Sequence, residues 1–76
     1  MSKLPSVKTS KLLKTLLHIG FVEHRQSGSH LQLKHPDGRR VTLPIHAGKD
    51  IKKGTLGGIL KDIRLTKEDF IEAMRS

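Results

Sequence analysis

The stretch His30-Leu31-Gln32-Leu33-Lys34-His35-Pro36-Asp37-Gly38-Arg39-Arg40-Val41-Thr42-Leu43-Pro44-Ile45 contains both arms of a β-hairpin and the turn that joins them. Leu31 and Leu33 alternate with His30, Gln32 and Lys34, the period of a strand with one buried face. Pro36 presets the first turn dihedral, Asp37 bonds its own backbone, and Gly38 takes a left-handed position. The returning run puts Val41, Leu43 and Ile45 on one side and Arg40, Thr42, Pro44 and His46 on the other. A loop at Pro36 to Gly38 fixes the register. Leu33 then meets Val41, Lys34 meets Arg40, Gln32 meets Thr42, and His30 meets Pro44. This pairing collects the apolar partners on one face, as a buried face demands.

Upstream, Phe21 to Gln26 reads as another strand, joined to His30 by the turn Ser27-Gly28-Ser29. Before it, Leu12, Leu13, Leu16, Leu17 and Ile19 form a helical stripe opposite Lys11, Lys14 and Thr15. Thr9 or Ser10 is placed to cap this helix and Gly20 to end it in a left-handed conformation. Met1 to Lys8 reads as a basic entry arm. Downstream, Leu56, Ile59, Leu60 and Ile63 have helical spacing from about Gly54, with Gly57 and Gly58 inside at about 1 kcal/mol each against alanine. Thr66 caps a short last helix, with Asp69 at its third position and Leu65 and Phe70 as a hydrophobic staple. The order α-β-β-β-α plus a carboxy-terminal helix predicts an α+β domain whose helices cover one face of the sheet.

The chain has 76 residues, 15 Lys+Arg against 7 Asp+Glu, and no cysteine. That length predicts one domain over residues 1–76 and a small core. Disulfides, thiolate zinc sites and cysteine nucleophiles are excluded. No apolar run approaches the roughly 20 residues of a membrane span. The start lacks the apolar core and cleavage site of a secretory leader, so the expected compartment is the cytoplasm. From Leu65 onward the net charge is 2 − 3 = −1, leaving 13 − 4 = +9 on the first 64 residues. A field of that sign on so small a body favours polyanions, nucleic acid above all.

The polar face of the predicted hairpin carries two further pointers. Lys34 opposite Arg40 is a like-charge pair that an anion between them would relieve. His30 and His46 lie diagonal to one another, within reach of one phosphate-sized group. Exposed imidazoles serve as general base or general acid near neutral pH. RNA cleavage needs one group to deprotonate the 2′-hydroxyl, another to protonate the leaving 5′-oxygen, and cations to steady the phosphorane. Zinc is disfavoured, since no histidine pair has helical ligand spacing; no metal or other cofactor is expected. His18, His24 and His35 read as ordinary surface, strand or turn residues. Lys49, Lys52 and Lys53 form a second basic cluster at a helix start, where free N–H groups favour anions. With Phe21 and Phe70 both expected inside, base stacking has little support. Residue chemistry alone leads to RNA or DNA binding, with acid–base catalysis open to the histidines.

Gly20-Phe21, Gly28-Ser29-His30, His35 to Arg40, Pro44-x-His46 and Lys53-Gly54-Thr55-Leu56 before Ile59-Leu60 together resemble the HicA family of toxins. The resemblance covers about Leu12 to Phe70. It implies a fold like the double-stranded-RNA-binding domain. It also implies a translation-blocking ribonuclease that cleaves mRNA and is neutralised by a HicB-type antitoxin. The family's catalytic histidine falls on His30, with Gly28 supplying the turn that presents it and Ser29 beside it. His46 matches the Pro-x-His motif, and its catalytic role is inferred from the register alone. The expected RNA contacts are Ser29, Gln32, Lys34, Arg40, Lys49, Lys52 and Lys53, with Lys34 and Arg40 on the scissile phosphate. Gly57-Gly58 departs from the family, where a larger, often basic residue is common. The alternative is a double-stranded-RNA-binding module without chemistry.

Overall fold

The sheet and the helices follow the expected order, with one pair of strands added. The computed structural model describes residues 6–45 and 50–75. Its elements are β1 (Val7–Lys8), α1 (Thr9–His18), β2 (Val22–Ser27), β3 (His30–Lys34), β4 (Arg40–Pro44), β5 (Asp50–Ile51), α2 (Lys53–Asp62) and α3 (Lys67–Met74). Strands β2, β3 and β4 form one antiparallel sheet in that spatial order. His46 and Lys49 lie outside the described residues.

The hairpin register is the expected one at every pair. Leu33 faces Val41, Lys34 faces Arg40, Gln32 faces Thr42 and His30 faces Pro44. The turn closes with the His35 N–H donating to the Arg39 carbonyl and Gly38 N–H to the His35 carbonyl, both at 2.9 Å, and Gly38 has φ +99°. Leu31, Leu33, Val41 and Leu43 point into a core shared with Leu12, Leu16, Phe21, Leu56, Ile59, Leu60, Ile63 and Phe70. Helices α1 and α2 pack against β4. Strand β2 is exposed along its whole length.

Val7 and Lys8 are not part of a free arm. They pair with β5, Val7 opposite Ile51 and Lys8 opposite Asp50, which buries both apolar members. Two-residue strands are too short to show an alternation, so no pattern announced them. This pairing also sets the start of α1 one residue early. Lys8 is the N-cap in extended conformation without a side-chain cap bond, and Thr9 enters the helix and the core. Thr15 was expected on the polar side but is buried, its hydroxyl donating to the Lys11 carbonyl at 2.8 Å. With its polar atom satisfied inside its own helix, it packs as a small apolar residue. Leu17, expected on the stripe, stands off the core at 40% exposure. Thr66 caps α3 as expected, accepting from the Asp69 N–H at 3.0 Å.

Both longer helices end in the same way. In α1 the Phe21 N–H donates to the Leu16 carbonyl and the Gly20 N–H to the Leu17 carbonyl, with Gly20 at φ +110°. In α2 the Leu65 N–H reaches Leu60 and the Arg64 N–H reaches Lys61, with Arg64 at φ +58°. These are Schellman endings, whose left-handed residue is normally glycine. An arginine there carries backbone strain of about 1 kcal/mol or more. Arg64→Gly is therefore expected to stabilise the protein by about 0.5–1 kcal/mol. The check is a higher urea midpoint with an unchanged slope. Gly58, by contrast, is exposed, and a methyl group there would meet nothing within 4 Å. Nothing in the structure gives it a packing role.

Candidate nucleic-acid interface and catalytic face

His30 is positioned by a two-residue turn. Ser27 pairs with His30, leaving Gly28 and Ser29 between them, and Gly28 has φ +58° at the first turn position. That positive dihedral marks the hairpin turn whose twist matches the strands, and glycine supplies it without strain. His30 is thereby the first residue of β3, on the face opposite Leu31 and Leu33. On the other side the Ile45 N–H donates to the Ser29 carbonyl at 2.6 Å. His30 and Pro44 are therefore a non-hydrogen-bonded pair, where side chains come closest and proline's missing N–H removes no ladder bond. The His30 side chain is exposed and, among the described residues, has no hydrogen-bond partner.

The cations take an order along this face that the hairpin alone did not give. Lys34 and Arg40 are opposite one another, but four residues along β3 from His30, about 13 Å at the strand's rise. Nearer to His30 are Gln32 on its own strand, Thr42 diagonally on β4, and Arg25 diagonally on β2. Sequence reading missed Arg25 because Val22–Ser27 has no alternation from which a register could be read. It also missed the bulge in that strand. The pairing steps from Glu23 with Leu33 to Arg25 with Gln32, so His24 is an extra residue. With Glu23 opposite Leu33, His24 falls on the Gln32 side, and the bulge brings Arg25 to that side too. His24 there lines a hollow on the open face with Gln32, Lys34, Arg40 and Thr42.

Lys52 and Lys53 stand exposed at the start of α2, Lys52 as its N-cap, with no acidic residue in the first turn. They belong to the helical layer rather than to the open face of the sheet. Ser29 is exposed in the turn beside His30.

His35, read as an ordinary turn residue, is a fastener. Its Nε2 lies 3.1 Å from the Ile19 carbonyl, to which it donates, and its ring meets Phe21 edge-on at 5.0 Å. Its Nδ1 is 3.1 Å from the Asp37 N–H and 3.0 Å from Asp37 Oδ1. A neutral ring accepts the first contact; an imidazolium donates to the second. Arg39 works in parallel. Its Nε donates to Asp37 Oδ2 at 2.7 Å, its Nη1 to the Ile63 carbonyl at 2.8 Å, and its guanidinium lies 5.2 Å from the Phe21 ring centre. Ile19 and Ile63 are the C-caps of α1 and α2. One turn therefore satisfies a terminal carbonyl of each helix.

Asp37 at the centre has its carboxyl held below its ordinary value of 3.8. The main cause is the hydrogen bond from the Arg39 backbone N–H; desolvation, next in size, opposes it, and the Arg39 guanidinium and the charge of His35 lower the carboxyl further. A carboxyl with a depressed folded pKa contributes stability that is present above its unfolded value and lost as pH falls through the folded one. Unfolding midpoints should therefore decline below about pH 4 in the wild type, and less steeply in Asp37→Asn.

The molecule is thus a small α+β domain with helices on one face of a three-stranded sheet and a histidine among cations on the other. Among the described residues no helix is long and apolar enough to cross a membrane. Residues 9–65 match the family described as HicA toxin of bacterial toxin-antitoxin, and the chain belongs to that family. Its architecture is the double-stranded-RNA-binding-domain-like one expected from the resemblance. An arylacetonitrilase of Macrophomina phaseolina (strain MS6) is 38% identical over 61 residues, 79% of this chain. The chain spans 17% of that protein's length.

Proposed function

We propose that this toxin is an endoribonuclease that cleaves mRNA without a metal, blocks translation, and is held inactive by a HicB-type antitoxin in the bacterial cytoplasm. One domain carries both the RNA-binding face and the chemistry. The observation that carries this reading is an exposed imidazole, His30, presented at a turn on an open face that also bears Arg25, Lys34 and Arg40.

His30 acts as general base or general acid, with His46 as the second group. The 2′-hydroxyl oxygen attacks phosphorus as its proton passes to one imidazole, and the P–O5′ bond breaks as the other protonates the departing oxygen. The products are a 2′,3′-cyclic phosphate and a 5′-hydroxyl end. Arg25, diagonal to His30, is the described cation nearest the reacting phosphate and stabilises its developing charge. Lys34 and Arg40, four residues away, grip a flanking phosphate instead. Ser29 and Gln32 contact the strand near the cleaved bond, and Lys49, Lys52 and Lys53 hold more distant backbone. An acidic antitoxin surface would cover the basic face by charge complementarity and exclude RNA.

Cleavage in EDTA decides the mechanism. RNA should be cut with new 5′-hydroxyl ends, while an all-deoxy strand of the same sequence is spared. Cutting of the deoxy strand overturns the 2′-hydroxyl mechanism. Retention of RNA without new ends would instead make the chain a binding module.

A further inference from the structure

The hollow beside the β2 bulge is not used by acid–base chemistry at His30. It measures about 230 Å³ and is lined by His24, by the Gln32–Thr42 and Lys34–Arg40 pairs, and by Leu33 and Val41 between those pairs. Three features converge on it. First, the pairing of Glu23 with Leu33 leaves His24 on the open face, and the bulge that follows brings Arg25 opposite Gln32 on that face as well, so two consecutive side chains crowd one spot. Second, Gln32 and Thr42 sit opposite one another with no side-chain partner among the described residues, offering an amide's donor and acceptor and a hydroxyl. Third, Lys34 faces Arg40 with no acidic side chain in the lining, an arrangement an anion stabilises.

From the hollow's lining we infer that it is a subsite for one unpaired nucleotide next to the cleaved bond. Its base lies on the His24 ring, its edge is read by Gln32 and Thr42, and its phosphate sits between Lys34 and Arg40. Unpaired RNA bases are recognised in this way, by stacking on aromatic or histidine rings and bonding at their edges. Phe21 and Phe70 are 1% and 0% exposed, so His24 supplies the ring in this hollow. Gln32 is the next outward residue after His30, about 7 Å along β3, so the subsite adjoins the reacting bond. This inference rests on the ribonuclease reading and makes His24 and Gln32 determinants of which sequence is cut.

The test uses the full chain with a mixed RNA whose cut sites are mapped from their 5′ ends. His24→Ala should raise KM about tenfold, more than it lowers kcat, while keeping the wild-type melting temperature. His24→Phe should restore most of that affinity, which a merely structural role for the imidazole would not allow. Gln32→Glu should change the preferred cut sites. Unchanged KM and cut sites in His24→Ala overturn the subsite and leave His30 chemistry standing. Wild-type protein that cuts no RNA overturns the nuclease reading, and binding then decides the subsite. A single-stranded all-2′-O-methyl pentanucleotide should bind His24→Ala about tenfold more weakly. Equal binding, or binding of duplex RNA alone, overturns it.

Discussion

His30→Ala is expected to lose RNA cleavage by at least about 10²–10⁴-fold, the usual worth of a general acid or base, and to lose growth arrest with it. Its fold should survive. The ring is exposed, has no hydrogen-bond partner among the described residues, and stands at the first position of β3 rather than in the core. Removing such a side chain usually changes stability by less than about 0.5 kcal/mol. The measurement is therefore double: initial rates on RNA with mapped ends, and a thermal midpoint on the same preparation. A midpoint near wild type with activity gone supports a chemical role. An unfolded variant would make His30 structural, and a variant that still cuts would move the chemistry elsewhere on the face. His46→Ala, measured beside it, tests the second half of the proposed proton relay.

Gly20→Ala should be the most damaging small change to stability. The residue ends α1 at φ +110°, a conformation that strains any L side chain. An added Cβ would also lie 2.7 Å from His35 Nε2, the atom that donates to the Ile19 carbonyl. Relief requires moving the imidazole, which loosens its contact with Phe21 and opens the Ile19 carbonyl. Strain and lost contacts together amount to about 3 kcal/mol, a large share of the roughly 5–10 kcal/mol that holds a domain this small. The expected drop in melting temperature is about 10–20 °C. A midpoint within about 3 °C of wild type would show that the His35 contact can be rearranged at little expense.

Much of this structure is legible in the sequence wherever one face is buried. The β3–β4 register follows from Leu31, Leu33, Val41 and Leu43, and the turn from Pro36, Asp37 and Gly38, because a slip by one residue would expose the whole apolar set. Strand β2 offers no such constraint. Its residues are exposed on both faces, so its pattern cannot locate the bulge at His24 or place Arg25 beside His30. The left-handed ending of α2 gave no sign of itself, because Arg64 carries a side chain at the position usually held by glycine. His35 and Arg39 were visible as side chains, but their partners are the carbonyls of Ile19 and Ile63, distant in sequence and without residue-type signatures. Of the site itself, Gly28 and His30 stood out as a motif. The order of cations around them depends on strand pairing, which the motif does not encode.

The turn that fastens the C-caps of both helices has a consequence for how the molecule comes apart. Splaying the hairpin tip frees the Ile19 and Ile63 carbonyls together, and unwinding either helix from that end removes a contact the tip depends on. Local fraying is thus suppressed where small domains usually begin to open. Sheet and helices are bound into a single cooperative unit, so the surface that meets RNA is kept in shape by whatever keeps the whole molecule folded.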